Sequence, residues 1–194
     1  MVIVLDNVLE NFDEYKKQVK ASKFGDVESQ GMNYSDISQD VNAHAIYDEI
    51  FLNTPLRPEE KLSFLRAYKD KPEYRHPMWI HSDVLFADYI AIFFIQSSEF
   101  PQDDGVALWR NKELDQIELW AHDHKGEKNQ VVDSQSLDPD KWEMWKRIEF
   151  KENRLVICPA AYFHSKASYG NYGKTLDDCR IVHVLFFNDV DEND

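Results

Sequence analysis

The chain has 194 residues, 36 of them acidic against 22 basic, for a formal charge of −14. A surface this acidic repels phosphate and excludes nucleic-acid or anionic-membrane binding through a broad basic face. Hydrophobic residues at 43% and aromatics at 13%, spread along the chain, supply a sizeable core and exclude a disordered protein. One domain over residues 1–194 is expected, with a strand and supporting helices in 1–59 and a β core over 60–190.

"VIVL" reads as a short opening strand. "NFDEYKKQVKAS" reads as a helix, with Asn11 and Glu14 at capping-box spacing. The polar, glycine-bearing stretch 25–39 reads as loop. "DVNAHAIYDEIF" fits a second helix with Ala43, Ile46, Tyr47 and Ile50 on one face. The N-terminus lacks a basic region and a long apolar run, so no signal peptide is expected. "YIAIFFI" is too short to span a membrane. Two cysteines, Cys158 and Cys179, make no disulfide framework, and a cytoplasmic, reducing setting fits.

After "RPEEK" the character changes. "LSFLRAY", "PMWIHSD", "YIAIFFI", "VALWR", "WKRIEF", "RLVICP", "YFHSKAS" and "RIVHVLFF" are short, rich in β-branched and aromatic residues, and separated by turn signals such as "DKPEY", "PQDDG", "KEN" and "GNYGK". Strands at this spacing suggest a sandwich or jelly roll rather than βα units. The polar insert 111–140 reads as a lid or substrate-facing excursion. "DKWEMWK" at its end reads as a helical turn.

His81 and Asp83 are two apart in "WIHSD". On a strand they share a face and can grip one cation together. With one further histidine they make the facial triad that leaves positions open on Fe(II). His164 in "CPAAYFHSKAS" is the candidate. Arg180 opens the last strand, where a buried charge needs an anion, and its forked donors suit a carboxylate.

The ordered set resembles the Fe(II)/2-oxoglutarate-dependent dioxygenases, in particular the prolyl-4-hydroxylase-like group. The likeness runs through "VIVLDNVLENFDEY", "WIHSDVLFADYIAIFFI", "DDGVALWR", "ENRLVICPAAYFHSKASYG" and "CRIVHVLFFND". The resemblance implies a double-stranded β-helix (a jelly roll, as in the cupin-like barrels) with flanking helices. It implies iron on His81, Asp83 and His164, with Arg180 on the distal carboxylate of 2-oxoglutarate and Tyr68 helping to hold that cosubstrate. O2 would complete the reaction, hydroxylating a C–H bond of an unidentified protein, peptide or small molecule with release of succinate and CO2. Asp83 stands where related halogenases lack the carboxylate. The serine or threonine often found two residues after the arginine is replaced by Val182.

Four residues beyond this set are weaker candidates for substrate contact. Trp109 and Arg110 sit where a substrate-facing strand would run, and His122 and His124 in "WAHDHKGE" form a rival metal pattern better read as exposed histidines. His183 reads as a satisfied structural histidine, and His76 and His44 carry no partner pattern. The alternative function is a jelly-roll module that binds metal without catalysis.

Overall fold

The computed structural model describes residues 1–29, 32–69, 79–97, 104–167 and 173–190. His76, the "DKPEY" turn and parts of the "PQDDG" and "GNYGK" turns lie outside them. The architecture is mainly β, with two antiparallel sheets and three α-helices among the described residues.

The large sheet is built from β1 (Ile3–Asp6), β2 (Gly25–Ser29), β3 (Met32–Ser38), β4 (Pro58–Tyr68), β5 (Tyr89–Gln96), β8 (Arg154–Pro159) and β10 (Arg180–Asp189), in the order β1-β8-β5-β10-β4-β3-β2. The small sheet runs β7-β6-β9, from β6 (Gly105–Asn111), β7 (Trp142–Glu149) and β9 (His164–Lys166).

β5 shows why the layers form. Ala91, Phe93 and Ile95 point to one side and pack with Tyr15, Val19, Ile46 and Ile50 of the helices α1 (Phe12–Ala21) and α2 (His44–Asn53). Ile90 and Phe94 point to the other and meet Val106, Leu108 and Ile148 of the small sheet. A strand covered on both faces reads as an unbroken apolar run rather than an alternation. Each fully buried large side chain contributes about 1.5–3 kcal/mol.

Several expectations change. The stretch 25–39 is not loop but carries the antiparallel strands β2 and β3, at the end of the sheet and joined to β4, among the described residues, through Ile37↔Arg66 and Ser38↔Leu65. Edge strands favour polar residues, which blurs their strand signature. Asn11 makes no side-chain cap. Its backbone (φ −96°, ψ 36°) is not extended, and its carbonyl accepts from Glu14 and Tyr15 instead. "DKWEMWK" is no helical turn beyond a 3-10 segment at Pro139–Lys141, and from Trp142 it is strand β7.

The insert is ordered by its own core. Leu119, Val132 and Trp142 pack with Ala107, Trp109, Phe163 and Ile80 on the side of the small sheet turned away from the large one. It carries α3 (Glu127–Gln135), and Gln135 accepts from the buried Asn111 amide at 2.9 Å. The described part of the insert is therefore a buttress on the outer face and not a lid over the interior. No described helix is long and apolar enough to cross a membrane.

His183 is fully buried in β10, with Nδ1 2.5 Å from the Tyr15 hydroxyl and Nε2 without a hydrogen-bond partner. It is thus structural as expected, but only half satisfied. Burial pulls its pKa down to about 4. The unfolded chain takes up this proton near pH 6.5 while the folded one resists it, so stability is lost as pH falls from 6.5 to 4. His183→Gln should flatten this part of the urea-midpoint-against-pH profile by roughly 3 kcal/mol. Parallel profiles for wild type and variant would remove His183 as a source of acid sensitivity.

Candidate metal centre

The segment bearing His81 and Asp83 is held by backbone hydrogen bonds more than by a strand of its own. The His81 N–H donates to the His164 carbonyl at 3.2 Å, and the His164 N–H returns a bond at 2.9 Å. Ile80 donates to Ser136 at 2.9 Å and Asp83 to Ala160 at 2.7 Å. The described part of the expected strand is thus a single bridge, His81↔His164, beside β9. A turn follows, closed by Phe86 N–H to the Asp83 carbonyl.

This places one ligand-type atom from each of His81, Asp83 and His164 within 4.8 Å of the others. Among the described residues no other group of three His, Cys, Asp or Glu side chains comes together in this way. Nδ1 of His81 lies 3.0 Å from the Trp79 carbonyl, and Nδ1 of His164 lies 2.9 Å from the Tyr162 carbonyl. A carbonyl only accepts, so each Nδ1 carries the hydrogen and each neutral ring keeps its lone pair on Nε2. Those two Nε2 atoms face the Asp83 carboxylate, at 3.7 Å from His81 and 3.1 Å from His164. Backbone carbonyls fixing the tautomer of two histidines beside a shared carboxylate are the outer support that metal-ligating imidazoles use.

Burial opposes charge on all three side chains. It holds His81 below its ordinary value, with Asp83 opposing and His164 and Arg66 adding to the fall. For Asp83 burial is outweighed by the His81 and His164 charges, and the carboxyl ends below its usual range. For His164 the hydrogen bond to Asp83 and the charge of Asp83 outweigh burial and raise it. The His81 side chain is one-third exposed and that of His164 only 5%, so the site opens to solvent past His81. Trp79 stacks on His81 at 4.9 Å and is exposed, as are Leu85 and Phe86 in the turn that follows Asp83.

A cationic patch lies in the space between the sheets. Arg180 is 2% exposed and donates through Nε to Asp104 Oδ1 at 2.6 Å. Its guanidinium carbon lies 4.9 Å from the centre of the Tyr68 ring, the residue opposite it across β4 and β10. Lys166 Nζ sits 4.8 Å from the same ring. Lys166 follows His164 by two residues in β9 and so points to the same side. Burial, aided by the Arg180 and Arg66 charges, pulls its pKa down to about 7.

Asp104 is fully buried and also accepts from Ser97 and from the Gly105 N–H. Gly105 (φ 139°) is required at that turn, because a Cβ would meet the Ile148 carbonyl oxygen at 2.1 Å.

The sequence reading did not pick out Asp104, Lys166 or Arg66. The two-residue step from His164 to Lys166 was a usable signal. The pairing of Asp104 with Arg180 across 76 residues was not.

The weaker candidates fall elsewhere. Trp109 is buried on the outer side of the small sheet and donates to Ser165 Oγ at 2.9 Å. A register shift between Leu108 and Trp109 accompanies that placement. Arg110 pairs with Asp115 at 2.6 Å. His122 is exposed beside Asp123, and His124 closes the same 3-10 turn.

The sequence matches no family profile and no curated protein. The fold, however, is similar to that of several solved structures. SnoN, the non-haem α-ketoglutarate-dependent epimerase from nogalamycin biosynthesis, superposes with a TM-score of 0.56 at 13% identity, over 95% of this chain and 76% of its own. It has also been solved in complex with Fe3+, α-ketoglutarate and nogalamycin RO. HygX from Streptomyces hygroscopicus with iron bound gives 0.53 at 10% identity, over 95% and 80% of the two chains. AviO1 from Streptomyces viridochromogenes Tue57 gives 0.51 at 11%, over 99% and 90%.

Arg180 keeps other contacts when Asp104 is removed, the Gly105 carbonyl among them, so the loss is that of one charge-assisted hydrogen bond rather than of every partner. Asp104→Ala should therefore lower the stability measured by urea unfolding by about 2–3 kcal/mol, and Asp104→Asn by less. An Asp104→Ala protein within about 1 kcal/mol of wild type would mean the pair does not hold Arg180.

Proposed function

We propose that this protein is an Fe(II)- and 2-oxoglutarate-dependent oxygenase on a jelly-roll fold, akin to the prolyl-4-hydroxylase-like group, and that it hydroxylates a C–H bond. The observation that carries the reading is the triad itself. Two imidazoles of fixed tautomer present Nε2 to one carboxylate, in an interior that also holds Arg180 and Lys166 against the Tyr68 ring. Two nitrogens and one carboxylate oxygen suit Fe(II) and leave coordination positions for a chelating cosubstrate.

The strand order supports the jelly roll. In the large sheet β8, β5, β10 and β4 lie side by side, while β6, β7 and β9, interleaved with them in sequence, make up the small sheet, and His81 forms a single bridge to β9 at its edge. In this reading His81, Asp83 and His164 hold the iron. Arg180, which also donates to Asp104 and to the Gly105 carbonyl, receives the distal carboxylate of 2-oxoglutarate. Tyr68 packs along the cosubstrate, and Lys166 adds positive charge beside the same ring. Val182, 1% exposed and part of the apolar interior, offers no hydroxyl there. Iron with 2-oxoglutarate and O2, when bound, supplies the oxidising chemistry and releases succinate and CO2. The chain supplies orientation and a largely apolar enclosure.

The substrate in this reading is a small molecule, peptide or protein, not a nucleic acid or a membrane. A cytoplasmic setting is consistent with the unpaired, buried Cys158 and Cys179, whose thiols burial pushes up to about 12.

Metal and cosubstrate contacts separate cleanly by substitution. Asp83→Ala should weaken Mn(II) binding, followed by equilibrium dialysis, by at least about tenfold. Arg180→Ala should retain Mn(II) but weaken 2-oxoglutarate binding by about 30-fold or more, the loss of a charge-assisted carboxylate contact. Equal 2-oxoglutarate affinity in wild type and Arg180→Ala would remove Arg180 from the site. Unchanged metal affinity in Asp83→Ala would remove the triad.

A further inference from the structure

Among the described residues, Arg66 is an arginine turned to the interior whose role the oxygenase reading leaves open. It lies in β4 two residues before Tyr68, on the same side of the strand, and opposite Val182 of β10. Its guanidinium carbon is 4.8 Å from the Tyr68 ring centre and 6.0 Å from that of Tyr34. The Tyr68 ring that it meets also contacts Arg180 and Lys166, and Lys166 stands two residues from His164 on the same face of β9. Nε is buried and has no hydrogen-bond partner, and among the described residues no carboxylate pairs with the guanidinium. Arg180, by contrast, has Asp104.

Holding a guanidinium among other cations is unfavourable, and a buried donor left unmade costs about 1–3 kcal/mol. Aromatic faces on Tyr34 and Tyr68 offset part of this and orient the planar fork, but they do not satisfy its N–H groups. The shape is that of an anion receptor preset by its neighbours.

We infer that Arg66 anchors the anionic group of the substrate to be oxidised, so that the substrate is a carboxylic acid or phosphate ester bound beside the metal centre. The inference rests on the oxygenase reading for the word substrate, but the anion site stands on Arg66 alone. It also runs against the outer charge of the molecule. The acidic surface favours basic partners, whereas the interior selects an acid.

The test uses the full chain loaded with Mn(II) and 2-oxoglutarate, titrated with benzoate, hexanoate, their methyl esters and phenyl phosphate while tryptophan fluorescence and Tm are followed. The acids or the phosphate ester should bind and the methyl esters should not, which also tells the two anion types apart. Arg66→Gln should lose that binding by at least about tenfold while its 2-oxoglutarate affinity stays within about threefold of wild type. Arg66→Lys, which keeps the charge and the stem, should retain part of the binding and guards against a Gln variant that fails to fold.

If Arg66→Gln instead weakens 2-oxoglutarate as much as Arg180→Ala does, Arg66 belongs to the cosubstrate site and the inference is wrong. It is equally wrong if no anion binds wild type, or if binding survives in Arg66→Gln. Arg66-dependent anion binding in a protein that, when offered Mn(II) and 2-oxoglutarate, takes up neither would uphold the anion site and overturn the oxygenase reading.

Discussion

The reciprocal backbone hydrogen bonds between His81 and His164 are the constraint on which the candidate centre depends. They bring together two segments far apart in sequence and put the two imidazoles at 4.5 Å between ring centres. Everything next to them serves to keep that contact. Ser136 and Ala160 accept from Ile80 and Asp83, the Trp79 and Tyr162 carbonyls set the rings, and the buried cluster around Trp109, Trp142 and Phe163 backs the strand that carries His164. A site built this way is positioned by main chain and packing rather than by long side chains. That limits the entropy lost when a metal or ligand joins it.

Charge is distributed with opposite sense outside and in. The whole chain carries −14, yet the interior presents Arg66, Lys166 and Arg180 around one tyrosine ring. Asp104 is the described carboxylate among them, and it holds Arg180 by one edge. In a space shielded from water such a cluster attracts anions far more strongly than the same charges would at the surface. An acidic exterior discourages nonspecific anions, while a cationic interior retains those small enough to enter.

How much of this the sequence disclosed depended on which physical signal each element left. β5 was plain because a strand buried on both faces has no polar interruption. The second helix was plain because Ala43, Ile46, Tyr47 and Ile50 share a face and are all buried. The grouping of His81, Asp83 and His164 was legible through the resemblance of the whole ordered set, strand contexts included, since a two-residue step and a distant histidine alone recur by chance. The strands β2 and β3 were not legible, since edge strands with few partners carry polar residues like those of a loop. The helix α3 was hidden for a related reason, with only Val132 and Gln135 buried. Trp109 was misplaced because strand alternation does not say which face of a sheet the insert will cover. The Arg180–Asp104 pair depends on the fold closing, and no local pattern announces it.

The central claim is that His81, Asp83 and His164 hold iron in a form that chelates 2-oxoglutarate. Anaerobic titration of the metal-free protein with Fe(II) and then 2-oxoglutarate tests it most directly, through the weak visible charge-transfer band of the chelate. The account predicts a band in wild type that saturates at one equivalent of iron and is absent from His164→Ala. Iron bound without a band would contradict the cosubstrate assignment, and failure to bind iron would contradict the metal centre itself.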